Sequence, residues 1–421
     1  GASTNPAQIL CSRFENGSFS APVQVVTDLP GPNLFGFGGF DLAVFGQQVY
    51  VSFERNSQGI LLARSDDGGK NFLPPVPVQA PAPGAFVTLS TITTDETGRI
   101  YIAYINDATP ATHQICRSDD GGESFTLPVN AGAPSDGEAV CECCPSALLT
   151  DADTVWMAYR NNNSNIRDHW ISRSSDAGAS FDRAIDVDST DWLLQFCPVS
   201  GPSLALAGNS LVCAWVSGAS GVNRVYVSSA DRALAFPGVQ RSFLTTNGPS
   251  VAQGQVDICA SGDTIGLVFQ EKNSQIVFVY STSGLSNLGN QMELLTVPNH
   301  LLRYPSVLFR NGVFHVTYLD VNAHQIVYRT AGFATSGLAP EPEFPISIYP
   351  NPADGGAFEV QLPGDLNGSW RLISNVGKLV ASDELRGSSF WVNVPEAEAG
   401  LYVLVVMTNR GMFSKSIMIG F

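Results

Sequence analysis

A chain of 421 residues is larger than one hydrophobic core accommodates, and with 44% apolar and only 14% charged residues it has the composition of a folded protein. Its 38 acidic and 22 basic side chains leave a net charge of −16, which excludes nucleic acid or an anionic membrane surface as a partner, because phosphates bind basic faces. Forty glycines and 26 prolines predict many turns and little helix, and no apolar run reaches the roughly 18 residues of a membrane-spanning helix.

The sequence starts at Gly1 without the charged segment and apolar stretch of a secretory signal, so it reads as a mature, processed form. Eight cysteines fit an oxidising compartment and, equally, a metal site.

In chain order, residues 8–12 and 22–26 read as two short strands around a turn ending in Gly17-Ser-Phe19. A hairpin pattern of two apolar runs then recurs six times, its copies opening at Asp41-Leu-Ala-Val-Phe, Thr88-Leu-Ser-Thr-Ile, Ser146-Ala-Leu-Leu, Ser203-Leu-Ala-Leu, Asp257-Ile-Cys-Ala and Ser306-Val-Leu-Phe. The second runs cover residues 48–53, 100–104, 155–159, 211–215, 265–269 and 313–318. After three of these hairpins comes a third short strand ending in arginine, and then one eight-residue pattern.

That pattern is Ser65-Asp-Asp-Gly-Gly-Lys-Asn-Phe72, and it returns at Ser118 to Phe125 and Ser174 to Phe181. Each copy holds a serine, an acid two residues on (Asp67, Asp120, Asp176), a glycine two later (Gly69, Gly122, Gly178) and a closing phenylalanine (Phe72, Phe125, Phe181). The carboxylate can accept backbone N–H bonds, glycine permits positive φ, and the aromatic anchors the turn, so these acids read as structural. Weaker remnants lie near Ser228, Ser281 and Arg329, giving successive intervals of 53, 56, 54, 53 and 48 residues. A fixed period of short antiparallel strands predicts an all-β propeller. Six hairpins predict six blades; an irregular seventh is the alternative reading, because the N-terminal piece also carries a turn remnant. The last unit lacks a fourth strand, which residues 22–26 are expected to supply.

The repeated turn resembles the Asp box of the sialidase and BNR-repeat families. The resemblance implies a sialidase-like propeller over residues 1–330, with the boxes on the outer rim between third and fourth strands and the active site elsewhere, at the centre.

Residues 331–345 are turn-rich and proline-punctuated and read as a linker. Alternating runs at 346–353, 357–362, 370–374, 400–406 and 415–419 then predict a small antiparallel β-sandwich over 346–421. Within it, Ile348-Tyr-Pro-Asn-Pro-Ala, Asn375-Val-Gly-Lys, Gly400-Leu-Tyr and Lys415-Ser-Ile-Met-Ile resemble, in order and spacing, the C-terminal sorting domain of type IX secretion cargo. The resemblance implies recognition by that secretion machinery through residues 346–421, export across the outer membrane of a Gram-negative bacterium, and release or surface attachment. A generic sandwich module binding something else is the alternative.

Chemistry in a propeller is expected at the loops entering the innermost strands. Three entries share a Pro-Ser step, at Pro145-Ser146, Pro202-Ser203 and Pro305-Ser306. Before the first lies Cys141-Glu-Cys-Cys144, and before the second Cys197, so Cys141, Cys143, Cys144 and Cys197 are placed on one face. Four thiolates could hold copper or zinc; two disulfides are the competing reading, with Cys197 paired to one member of the cluster.

The polar loop Tyr159-Arg-Asn-Asn-Asn-Ser-Asn-Ile-Arg-Asp-His-Trp170, with Cys141 to Pro145 and Asp191 to Pro198, resembles a subgroup of bacterial sialidase-like BNR proteins. Arg160, Arg167, Asp168, His169 and Trp192 are its candidate ligand contacts, since guanidinium groups hold carboxylates and an aromatic face stacks on sugar. Alternatively, Arg167 and Asp168 brace the loop. The sialidase family's Arg-Ile-Pro motif is absent from the first unit, and Arg303-Tyr-Pro-Ser306 only echoes it in the sixth. Arg303 and Tyr304 are therefore further candidates, with Asp41, Glu138 and Glu271 as possible acids and Tyr304 as a possible nucleophile, but no catalytic set is assigned. The leading expectation is a glycan-directed protein, either a binding module or a divergent hydrolase or lyase. A metal-binding propeller and a non-catalytic adhesion or structural protein are the other two readings.

Overall fold

The computed structural model describes residues 7–15, 17–28, 30–34, 39–56, 58–80, 86–132, 139–195, 198–243, 245, 247–332, 346–374, 378–408 and 411–420. The chain separates into two compact units, Gly1–Gly332 and Phe333–Phe421.

In the first unit, six sheets follow one another in sequence among the described residues. Their first strands are Phe40–Phe45, Val87–Thr94, Ala147–Asp151, Ser203–Ala207, Gln253–Ser261 and Leu302–Arg310. Each pairs antiparallel with a second strand, respectively Gln48–Arg55, Ile100–Asn106, Thr154–Asn162, Ser210–Ser217, Thr264–Glu271 and Val313–Asp320. The second strands of the first five sheets are apolar on both faces because other elements pack on each side. Ile100 to Ile105 are all buried, as are Tyr50 to Phe53 and Leu211 to Val216. The core accordingly runs from sheet to sheet, with Tyr50, Leu62, Ile92 and Ile102 in one cluster and Trp156, Ile171, Leu204 and Trp215 in another.

The eight-residue turns join third to fourth strands. Ser65 closes the third strand Gly59–Ser65; its Oγ donates to Asp67 Oδ1 (2.8 Å) and accepts from the Gly69 N–H (2.9 Å). Asp67 Oδ1 then accepts the N–H groups of Lys70 and Asn71, each at 2.9 Å. Ser118 and Asp120, and Ser174 and Asp176, repeat the serine–carboxylate contact, at 2.8 and 2.7 Å. At the two later marks the serine turns to a carbonyl instead: Ser228 Oγ donates to Gly238 O and Ser281 Oγ to Gly284 O.

The arginine before each turn locks neighbouring sheets together. Arg64 donates to Gly121 O (3.1 Å), Arg117 to Ala177 O (2.8 Å) and Arg173 to Ala233 O (3.2 Å), each reaching the corresponding turn of the next unit.

The N-terminal segment does not supply the missing strand. Leu10–Cys11 pairs with Val23–Gln24, Phe14–Glu15 with Ser18–Phe19, and among the described residues none of these pairs with the last strand, Gln325–Gly332. Side chains make the connection instead. Ile9, Val25 and Val26 bury against Val51, Phe53, Leu61 and Ala63 of the first sheet, while Phe14 and Phe19 pack on Tyr328 of the sixth, with ring centroids 4.7 and 5.4 Å away. An apolar strand sequence satisfies a packing site as readily as a hydrogen-bonded edge, which is why the two could not be told apart in advance.

In the second unit the expected sandwich is a single curled sheet. Ser347–Tyr349, Ala357–Ser374, Gly400–Thr408, Gly411–Gly420 and Ala353–Asp354 lie in that order, and Leu379–Asn393 also pairs with Ala357–Ser374. The last neighbour is parallel, Ala353 opposite Ile419. Phe358, Val360, Leu372, Leu404, Val406 and Ile417 form its core, so one sheet buries its own inner face. The linker positions 333–345 and Asn375 to Gly377 lie outside the described residues.

Candidate functional site

The first strands of all six sheets converge on one cavity of about 580 Å³. Three of these strands carry a bulge at the same place: the register shifts beside Leu89, Gln255 and Tyr304, which have φ of 54°, 50° and 53°. Non-glycine residues in this region are strained, and such residues concentrate at functional sites.

Two residues beyond each bulge stands a polar side chain: Thr91, Asp257 and Ser306. With Asp41, Ser146 and Ser203 they give one oxygen-bearing residue per sheet around the cavity wall. Hydrogen bonds lace neighbours together. Asp41 Oδ2 accepts the Ile92 N–H (2.9 Å), and Thr91 Oγ1 meets Ser146 Oγ at 3.0 Å. Asp257 accepts from Ser203 Oγ (2.8 Å), Ser306 Oγ (2.9 Å) and the Val307 N–H (2.9 Å). The third and fourth sheets meet by close backbone approach, since a Cβ on Gly201 would collide with Pro145 O. Burial, with a smaller contribution from the Asp257 charge, pushes the Asp41 carboxyl up to about 6.

Phe40 and Tyr304 bring aromatic rings to the mouth, 48% and 39% exposed. Among the described residues, no lysine, arginine or histidine lines the cavity. The Pro-Ser steps at 145, 202 and 305 had marked three wall positions; Asp41 and Asp257 also opened hairpins, but nothing in the sequence announced the bulges.

Arg160, Arg167, Asp168, His169 and Trp192 form a closed cluster in the third sheet and its loops, which meets the cavity wall at Ser200 and Val216. Arg160 is wholly buried. It donates to the carbonyls of Arg167 (2.7 Å) and Val216 (2.8 Å) and to Ser200 Oγ (3.3 Å), and its guanidinium carbon stands 5.3 Å from the centre of the Trp192 ring. Arg167 donates to Leu194 O (3.1 Å) and Cys141 Sγ (3.1 Å) and reaches Glu142 Oε2 at 3.5 Å. Asp168 Oδ1 accepts the Trp192 N–H (3.0 Å), and His169 Nδ1 lies 3.3 Å from Asp188 Oδ2. Burial holds the His169 imidazole down at about 3, hence neutral. The candidate acid Glu271 is also buried, accepting from Thr245 Oγ1 (2.7 Å) and Gln253 Nε2 (3.1 Å). Arg303 is half-buried and outside the cavity wall; Glu138 lies outside the described residues.

Beside Arg167, the sulfurs of Cys141, Cys143 and Cys144 lie within 4.8 Å of one another. Cys143 is disulfide-bonded, whereas Cys141 and Cys144 are free thiols; Cys197 lies outside the described residues. A disulfide sulfur is not a thiolate donor, so the set as it stands does not fit copper or zinc.

Six sheets converging by their first strands on one cavity define a β-propeller, joined in one chain to a separate sheet unit. Residues 347–420 of that second unit match the family described as a secretion system C-terminal sorting domain. The protein is therefore type IX cargo, either secreted or displayed at the cell surface. No helix among the described residues is long and apolar enough to cross a membrane. No curated protein matches the chain in sequence. Similar solved structures include a Hadza microbial sialidase (15% identity, TM-score 0.48, 75% of this chain and 72% of that one). Others are a Penicillium chrysogenum α-L-arabinanase in complex with arabinobiose (11%, 0.46, 70% and 92%) and an Aleuria aurantia lectin in complex with Fucα1-6GlcNAc (10%, 0.46, 72% and 94%).

Proposed function

We propose that this exported propeller binds a neutral carbohydrate at the mouth of its central cavity. The observation that carries the reading is the wall itself: a hydroxyl or a carboxylate on every sheet, two exposed aromatic rings, and no cationic side chain among the described residues. Carboxylates and hydroxyls match the donor and acceptor pattern of sugar hydroxyls, and an aromatic face covers the apolar side of a pyranose. A sialic acid or uronate needs guanidinium or ammonium partners. The arginines that could have supplied them, Arg160 and Arg167, are committed to carbonyls and to Cys141 inside the third sheet and its loops.

The test is a glycan-array screen of the full chain followed by calorimetry. Neutral oligosaccharides are expected to bind, and Tyr304→Ala is expected to weaken them by about tenfold, roughly the contribution of one aromatic contact. Binding confined to acidic glycans, or indifferent to Tyr304, would refute the proposal.

The Asp41 carboxyl, held near 6 in the same wall as Asp257, favours a second reading, glycoside cleavage with Asp41 as general acid. On that reading Asp41→Asn abolishes release of an aryl leaving group from neutral glycosides while binding persists.

A further inference from the structure

The cysteine cluster has chemistry that sugar binding does not use. Cys141 Sγ stands 3.4 Å from Cys144 Sγ and 3.7 Å from Cys143 Sγ, so one free thiol sits between a second thiol and a disulfide sulfur. Arg167 Nη1 donates to Cys141 Sγ at 3.1 Å. Cys141 and Cys144 are fully buried, whereas Cys143 is partly exposed. Of these three, Cys143 therefore is the one that reagents outside can reach.

We propose that Cys141, Cys143 and Cys144 form a thiol–disulfide exchange centre in which Cys141 is the nucleophile, Cys143 the attacked sulfur and Cys144 the resolving thiol. In the first step the Cys141 thiolate bonds to Cys143 Sγ, and the existing bond from Cys143 breaks, its other sulfur leaving as a thiolate. In the second, Cys144 bonds to Cys141 Sγ, and Cys143 leaves as a thiolate. The Cys144 proton passes to the first departing sulfur. One disulfide is broken and one formed, so the Cys141–Cys144 dithiol is oxidised, the Cys143 disulfide is reduced, and no outside oxidant is consumed. The partly exposed Cys143 thiolate is then able to exchange with an external disulfide, either a small molecule or a protein.

The electrostatics suit these roles. The Cys144 thiol, Arg167 and Arg160 together outweigh burial and hold the Cys141 thiol well below its ordinary value, while the contact with Cys141, together with burial, pushes Cys144 up. A nucleophile ionised at neutral pH beside a protonated partner is the asymmetry that such exchange requires. Glu142 also faces this group, through Arg167.

The test uses the full chain, poised with limiting dithiothreitol so that the cluster retains one disulfide. Samples are acid-quenched over time, alkylated under denaturing conditions and mapped by mass spectrometry. The single disulfide is expected to divide between Cys143 and the Cys141–Cys144 pair, about tenfold faster at pH 7 than at pH 5, as the thiolate fraction of Cys141 rises. Cys144→Ser is expected to trap a Cys141–Cys143 disulfide, and Cys141→Ser to stop exchange. A Cys143 disulfide that keeps its original partner for hours at pH 7 in both the native chain and Cys144→Ser would overturn the proposal.

Discussion

Replacing Gly122 with alanine tests whether the repeated turns hold one sheet to the next. Gly122 has φ of +86°, and a Cβ there would stand 2.6 Å from Leu62 Cδ2 and 3.3 Å from Ile100 Cδ1. Leu62 is fully buried in the first sheet, so its Cδ2 would have to shift within a packed core to admit the methyl group. The left-handed backbone costs a non-glycine residue about 1–2 kcal/mol and core overpacking about 1–3 kcal/mol, so Gly122→Ala is expected to destabilise the propeller by roughly 2–5 kcal/mol. Gly221 separates the two effects: its φ is +89°, but nothing lies within 4 Å of its would-be Cβ, so Gly221→Ala should cost only about 1 kcal/mol. Leu62→Ala alone should cost about 2–5 kcal/mol. Because it removes the atoms that the new methyl group meets, the double variant should fall short of additivity by about 1 kcal/mol or more. Urea denaturation followed by tryptophan fluorescence measures all four chains. Equal costs at Gly122 and Gly221, or strict additivity with Leu62→Ala, would refute the reasoning.

Arg160→Met is expected to lower propeller stability by about 2–5 kcal/mol by removing a buried donor from three acceptors, as thermal melts check. Burial, reinforced by neighbouring carboxylates, raises Asp168 to about 6 and Asp186 to about 7, so the folded state holds their protons more tightly than the unfolded state does. Their contribution is fully present below about pH 4 and lost as pH rises through 6–7, so the melting temperature should fall between pH 5 and pH 8, and Asp186→Asn should flatten that slope. Asp67 and Asp120 run the other way: hydrogen bonds, from Asn71 and Ser124 first, hold their carboxyls low, so stability is lost as pH falls below about 4. Deleting residues 346–421 should leave the melting of the propeller unchanged and abolish export, as read by immunoblot of culture medium and surface fractions.

The fold was legible wherever a local rule repeated. The serine–acid–glycine spacing of residues 65–69, 118–122 and 174–178 placed three turns, and the six two-run hairpins placed six first and second strands, because period-2 patterning is a property of neighbours in sequence. What sequence could not resolve was partner choice. Arg160 reads as a ligand contact because exposed guanidinium groups bind carboxylates; its actual acceptors are carbonyls 7 and 56 residues away, which no spacing rule connects. Leu89, Gln255 and Tyr304 adopt positive φ without a glycine to signal it, because tertiary packing sets those bulges. Phe14 and Phe19 likewise find Tyr328 by shape, not by strand pairing.

Hydrogen–deuterium exchange of the full chain, with and without a neutral oligosaccharide that binds it, tests the central claim most directly. The account predicts protection confined to the first strands around the cavity, in peptides spanning residues 87–94, 253–261 and 302–310. Protection concentrated instead on residues 160–169 and 191–195 would contradict it, placing the ligand at the arginine cluster of the third sheet rather than at the central mouth.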